Sequence, residues 1–244
     1  MLILRDTDTA VAPTKRSVVT IGAYDGVHKG HRAVIAHVQA EAKRLDCQGV
    51  VVTFDHHPAS VVRPESAPKL LTDSDQKIEL LAETGIDATF IVHFDEAASK
   101  EDPAAFVKRV LVDSLGAKLI VVGEDFHFGY KRGGNVAMLR ELGKQYDFEV
   151  VPMQLVPRPD GVAEPVSSTA IRRALAGGQV EVAEQLLGRP FSVRGVVVNG
   201  DKRGRTIGFP TANTEVSNQM CLPADGVYAG MFTCADGSVH GCAI

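Results

Sequence analysis

At 244 residues the chain is long enough for about 1.6 average domains, which means one full-sized core and a smaller remainder. Hydrophobic residues make up 45% and charged residues 23%, proportions that exclude a disordered, collagen-like or fibrous chain. Twenty-six basic against 30 acidic residues leave a formal charge of −4, which argues against a protein that wraps nucleic acid, and no apolar run reaches the roughly 18 residues of a membrane span.

The first ten residues carry two acidic groups, no basic n-region and no long apolar core, so they do not read as a secretory signal, and a cytoplasmic protein is expected. Five runs then read as strands apolar on both faces, as in a parallel sheet: Val18 to Gly22, Val50 to Phe54, Thr89 to Phe94, Leu119 to Gly123 and Phe148 to Met153. Helical patterns separate them. Val34, Val38, Ala42 and Leu45 share one helical face; Asp73 or Ser74 can cap a helix bearing Ile78, Leu80 and Leu81; Pro103 can open one bearing Phe106, Val107, Val110 and Leu111. This alternation predicts an α/β domain with a doubly wound parallel sheet and ligands at the C-terminal strand ends.

Two more helices are predicted over Ser168 to Ala176 and Val180 to Leu187, broken by Gly177-Gly178. Beyond Leu187 the pattern changes: nine of the 23 glycines fall in the last 57 positions, among alternating Val, Phe and Tyr, without helical periodicity. The expectation is two domains, 1–187 and 188–244, the second antiparallel β. Cysteines 47, 221, 234 and 242 form no C-x-x-C pair and are expected to be reduced thiols, mostly buried in strands.

The stretch TIGAYDGVHKGHRAVI, residues 20–35, is the most informative. A strand ends at Gly22, a glycine-bearing turn follows, and a helix starts near Gly30 with His28 and His31 at its entrance. Free backbone N–H groups, the positive helix end and two imidazoles suit a nucleotide triphosphate, and Gly30 would let a phosphate approach the backbone. The H-x-G-H tetrapeptide alone would arise by chance in about 2% of such chains, so its position at a strand-to-helix turn is what gives it weight. Ser167, Ser168 and Thr169 precede a second helix with Arg172 one turn inside. They read either as a plain N-cap with a solvated arginine or as a second anion cradle for the β- and γ-phosphates.

These residues resemble the H-x-G-H nucleotidylyltransferases, and within them the bacterial bifunctional riboflavin kinase/FAD synthetases. GAYDGVHKGH resembles the first motif of that family, TFDHHP (53–58) the second, GEDFHFG (123–129) the third and VSSTAIRRAL (166–175) the fourth. GDKRGRTIGFPTAN (200–213) and LPADGVYAG (222–230) look like the start of its riboflavin kinase domain, a closed β-barrel. The resemblance covers nearly the whole chain.

It implies an FMN adenylyltransferase making FAD and pyrophosphate from FMN and ATP with Mg²⁺, followed by a partial antiparallel β-barrel. His28 and His31 would stabilise the α-phosphate, with Gly22, Gly30, His57, Ser167, Ser168, Thr169 and Arg172 around the ATP phosphates. Asp125, Phe126 and Phe128 would meet flavin or adenine, and Thr211 and Asn213 would hold Mg²⁺ in the kinase module. The family more often has arginine at the position of His127, so no role is transferred there. The kinase barrel of the family runs beyond the point where this sequence stops, so the second module is expected to be a cut domain without riboflavin kinase activity. Small molecules (ATP, FMN, riboflavin) are the expected partners, with neither nucleic acid nor membrane. Two other readings stay open: an H-x-G-H transferase acting on another acceptor, and a flavin- or nucleotide-binding module without turnover.

Overall fold

The structure is a computed structural model that describes residues 1–7, 16–201, 203–206, 208 and 211–244. Lys202 and Pro210 of the basic loop lie outside the described residues, as do residues 8–10 of the N-terminal stretch.

Strands β1 (Leu2–Arg5), β2 (Ser17–Ile21), β3 (Gln48–Phe54), β4 (Ala88–Val92) and β5 (Ala117–Gly123) belong to one parallel sheet. A small antiparallel pair, β6 (His127–Phe128) and β7 (Gly134–Asn135), precedes the sixth strand, β8 (Glu149–Met153). The order is β1-β4-β3-β2-β5-β8. Every residue of β2 and of β4 is buried, which is why these runs lack the alternation of a half-exposed strand. From β2 the chain goes to β3 on one side and later returns to β5 on the other, so the order reverses between β2 and β5. Ligands bind at such a switch point, beyond the carboxyl ends of the strands.

Helix α1 (Lys29–Leu45) buries Ile35, Val38 and Ala42 against one sheet face and stops at Asp46, which adopts the left-handed conformation. After α2 (Pro58–Val62), α3 (Ser74–Ala82) starts at a capping box in which Asp73 accepts from the Gln76 N–H and Gln76 reaches back to the Asp73 N–H. Asp73, not Ser74, is therefore the cap. Helices α4 (Glu96–Ser99) and α5 (Pro103–Phe106) are short, and α5 runs into a π-helical segment, Val107–Ser114, that buries Val107, Val110 and Leu111. Helix α6 (Val136–Tyr146) leads to β8, then α7 (Ser168–Ala176) and α8 (Val180–Leu187) pack on each other with Leu71 and Val166 in a third core cluster.

Beyond α8 the described residues form β9 (Val196–Val198), a one-turn helix α9 (Arg203–Thr206), β10 (Asn213–Glu215), β11 (Ala229–Thr233) and β12 (Val239–Ala243). The strands pair as two antiparallel ribbons, β9 with β10 and β11 with β12, consistent with part of a β-barrel.

Three expectations are corrected. Strand β1 was not anticipated; it is four residues long at a sheet edge, with Leu2 51% exposed, so neither length nor burial marks it in the sequence. The C-terminal region contains α9, one turn being too short for a periodic signal. The cysteines are free, but only Cys221 is buried and only Cys242 lies within a strand, because Cys47, Cys221 and Cys234 fall in connections.

Candidate active site at the β2–α1 turn

Between Gly22 and Lys29 the backbone makes an unusually tight turn. Tyr24 (φ 52°) and Val27 (φ 38°) both occupy the left-handed region, and for a β-branched valine that conformation is strained. Two contacts hold the turn: the Tyr24 hydroxyl is 2.7 Å from Thr20 Oγ1 inside the core, and Gly26, at φ 83°, packs so close to Leu71 that a Cβ there would sit 2.9 Å from its Cδ1. Burial raises the pKa of Tyr24, so the phenol stays protonated.

The turn delivers His28 to the N-cap of α1. Its Nδ1 accepts the His31 N–H at 3.3 Å. An accepting Nδ1 carries no proton, so the neutral ring bears its hydrogen on Nε2, where it is a donor for an anion. His31 stacks on His28, ring centroids 3.6 Å apart and planes 17° off parallel, and Tyr24 backs it at 4.8 Å. Both imidazoles are held neutral. Burial, with lesser effects from Arg172 and Arg189, lowers His28 to about 4; burial and then the neighbouring His28 hold His31 well below its ordinary value. Gly30 also has a structural reason, since a Cβ there would meet the His28 ring at 3.1 Å and the Val166 carbonyl at 3.2 Å.

A carboxylate that sequence reasoning passed over organises the rest. Asp25, 5% exposed, accepts the backbone N–H groups of Leu71 (2.9 Å) and Thr72 (3.1 Å) and forms an ion pair with Arg172 of α7. Its carbonyl accepts the Ser168 hydroxyl at 2.9 Å. Arg172 also donates through Nε to the Lys69 carbonyl at 2.6 Å. One side chain thereby joins the β2–α1 turn, the segment 69–72 and the N-terminal half of α7. Ser167 is the α7 N-cap, accepting the Ala170 N–H, and Thr169 is exposed. The fourth motif thus meets the first through Asp25, and Arg172 is ion-paired, not solvated.

On the same side, at the end of β3, Asp55 accepts the N–H of His56 (2.7 Å) and of Phe94 (2.9 Å) and lies 2.6 Å from His93 Nδ1. Burial alone would raise its pKa, but the Phe94 N–H and the His93 and His56 imidazoles outweigh burial and hold it at about 2. His57 caps α2, its Nδ1 accepting the Ala59 N–H at 3.2 Å, and burial is the main cause of its lowered pKa. Lys77 of α3, also missed in the sequence, donates to the Phe54 carbonyl at 2.7 Å, and burial lowers its pKa. Asp25, Asp55, His57, Leu70, Thr72 and Lys77 line a common pocket.

The remaining expected residues do not line this pocket. Asp125 is exposed beyond β5, Phe126 is half-buried and Phe128, 8% exposed, belongs to the core, stacked on Phe126 at 5.5 Å and tilted against Phe106 at 6.1 Å. Gly22 lies against Tyr24, where a Cβ would be 3.1 Å from the ring. Thr211 and Asn213 are exposed on the β9–β10 side of the second module. Arg189 was not singled out in the sequence. Among the described residues its Nη1 and the Nδ1 of His31 are buried side-chain atoms without a hydrogen-bond partner.

Two stacked imidazoles on a helix N-terminus at the switch point of a parallel sheet are the geometry of a nucleotidylyltransferase. Comparison with known proteins agrees: the family profile described as FAD synthetase matches residues 11–170, and the profile described as riboflavin kinase matches residues 187–244. The bifunctional riboflavin kinase/FMN adenylyltransferase of Escherichia coli strain K12 is 40% identical over 218 residues, 89% of this chain and 68% of that protein. Its counterpart in Listeria monocytogenes is 40% identical over 226 residues (91% and 69%), and that of Buchnera aphidicola from Schizaphis graminum 35% over 234 residues (96% and 74%). The chain belongs to the bifunctional riboflavin kinase/FMN adenylyltransferase family. A crystal structure described as a macrolide-efflux protein from Streptococcus pneumoniae superimposes with a TM-score of 0.78 at 28% identity, covering 100% of this chain and 83% of that one. Among the described residues no helix is long and apolar enough to cross a membrane.

Proposed function

We propose that residues 1–187 transfer the adenylyl group of ATP to FMN, giving FAD and pyrophosphate, and that residues 188–244 belong to the riboflavin kinase module. The observation that carries this reading is the stacked His28–His31 pair, whose fixed tautomer leaves the His28 Nε2–H free. The FMN phosphate is already anionic at neutral pH, so no general base is needed. An FMN phosphate oxygen forms a new bond to the α-phosphorus, the bond to the bridging oxygen of the β-phosphate breaks, and pyrophosphate leaves with that electron pair. His28 and His31 donate to the α-phosphate oxygens as charge builds there, and the N-terminal N–H groups of α1 add to the same field.

Arg172, the Ser167 and Ser168 hydroxyls, Thr169 and His57 are assigned to the triphosphate. Arg189, with an unused buried donor and a charge felt at His28, is assigned to it as well. Asp125 and Phe126 are assigned to the flavin or adenine, and Phe128 supports Phe126 from the core. In the kinase module Thr211 and Asn213 offer a hydroxyl and a carboxamide oxygen, hard donors of the kind Mg²⁺ takes, so these residues fit the ion. When bound, Mg²⁺ supplies charge neutralisation at the phosphates. Four free thiols suit a reducing cytoplasm, where ATP and FMN are found.

The reverse reaction tests the assignment. FAD and pyrophosphate supplied together should yield ATP and FMN, and His31→Ala should lose that conversion; a wild-type chain that leaves FAD intact would argue against adenylyl transfer.

The buried neutral histidines also set a pH dependence. In the unfolded chain His28 takes a proton near pH 6.5, in the folded chain only near 4. Between those values the unfolded state binds more protons, so stability is full above about pH 6.5 and falls as pH drops towards 4. His28 alone should account for a loss on the order of 2–3 kcal/mol between pH 7 and pH 4. Urea denaturation at pH 7.0 and 4.5 should show that loss in the wild type and a smaller one in His28→Gln. Asp55 does not confuse the comparison, since its contribution, present above the ordinary carboxylate range, is lost only towards pH 2.

A further inference from the structure

The segment 69–72 that Asp25 and Arg172 hold from the first module is held from its other side by the second. Leu70 makes an isolated parallel bridge to Met220: its N–H donates to the Gln219 carbonyl at 2.8 Å, and its own carbonyl accepts the Cys221 N–H at 2.7 Å. Lys69 Nζ donates to the Asn218 carbonyl. Met220 and Cys221 are 7% and 8% exposed in a region where most side chains face solvent, and Cys221 joins the core cluster of Leu71, Ile171 and Leu175. A few residues on, the Ala224 N–H donates to the Leu175 carbonyl at the end of α7. The Tyr228 hydroxyl donates to the Ala224 carbonyl at 2.6 Å, and the Tyr228 backbone pairs in both directions with Ile244, beside the β11–β12 ribbon.

From these contacts we propose that residues 218–224 of the riboflavin kinase region form a strap that positions the Lys69–Thr72 wall of the adenylyl-transfer site, coupling the two modules through Leu70. The inference rests on the site assignment of the preceding subsection. The strap touches neither His28 nor the reacting atoms. It acts through the 69–72 backbone, which fixes Arg172 by the Lys69 carbonyl and Asp25 by the Leu71 and Thr72 N–H groups. Displacing the strap frees one side of that wall, and the group it disturbs most directly is Arg172, assigned to the ATP phosphates. The coupling is reciprocal, so a ligand of the second module that favours this position of the strap also tightens ATP binding in the first module.

The test uses the full chain. Cys221→Pro removes the N–H that bonds Leu70, whereas Cys221→Ala keeps it. In steady-state FAD formation Cys221→Pro should raise KM for ATP about tenfold, within the range for coupled sites, with KM for FMN little changed and Cys221→Ala close to wild type. Amide hydrogen exchange should show 69–72 deprotected in Cys221→Pro alone. If Cys221→Pro does not fold, Met220→Ala is read by the same two measurements, with a smaller shift of the same sign. Wild-type KM for ATP together with wild-type protection at 69–72 in the folded variants would overturn the strap. Should the wild type form no FAD, the function assignment fails by itself. The strap is then judged by whether an α,β-methylene ATP analogue protects residues 25–31 less in the variant than in wild type; equal protection would overturn it.

Discussion

His28→Ala is expected to lower the rate of FAD formation by about 10²–10³-fold, the usual loss for one preorganised donor at a centre of developing charge. The loss should fall on kcat, because the Nε2–H is offered to charge that grows only as the α-phosphorus is attacked. The variant should still fold. It forfeits an N-cap acceptor, about 1 kcal/mol, and the ring stacked on His31, but leaves the Tyr24–Thr20 hydrogen bond and the Asp25 network intact. His28→Asn separates the two roles, since a carboxamide can cap α1 without presenting a donor at the Nε2 position. It should recover stability and little of the rate. Steady-state kinetics paired with thermal melts read both quantities, and a His28→Ala protein with near-wild-type kcat would refute the donor role.

Asp25→Ala is expected to have the largest effect on stability. It strands the Arg172 guanidinium, only 16% exposed at its side chain, and leaves the Leu71 and Thr72 N–H groups without their acceptor. Breaking a buried pair from one side costs about 3–5 kcal/mol. That is a large part of the 5–15 kcal/mol holding a typical domain together. Asp25→Asn keeps an acceptor for the two N–H groups while losing the charge opposite Arg172, and it should fall between wild type and alanine in denaturant midpoint. Both should impair FAD formation, because Arg172 loses the partner that aims it. Equal midpoints for all three proteins would show that Asp25 does not organise the site.

The contrast between His28 and Asp25 shows what was legible in the sequence. His28 lies in a tetrapeptide whose chemistry and position, after an apolar run and before an amphipathic one, are both local. Helices α7 and α8 agree with their expected ranges for the same reason: the Ser167 cap, the Gly177-Gly178 break and the Gly188 C-cap all adjoin them. Asp25 sits inside the same motif, but its partners are 46, 47 and 147 residues away, and nothing near it in the chain distinguishes a buried pivot from a turn aspartate. Lys77 and Arg189 were passed over likewise, since lysine or arginine near a helix end ordinarily reads as solvated. Phe126 and Phe128 could be read as platform or core, and packing on Phe106 placed Phe128 in the core. The Leu70–Met220 bridge joins two stretches without any shared pattern, so only the fold could bring it to light.

Everything assigned to the His28–His31 site depends on this chain moving an adenylyl group onto FMN. The most direct measurement supplies FMN, Mg²⁺ and ATP labelled at the α-phosphorus, then separates the products by chromatography. Adenylyl transfer at the His28–His31 site predicts labelled FAD, one pyrophosphate released per FAD formed, and no label in FAD when the ATP is labelled at the γ-phosphorus instead. Absence of labelled FAD, or label passing to another phosphorylated acceptor in preference to FMN, would contradict it.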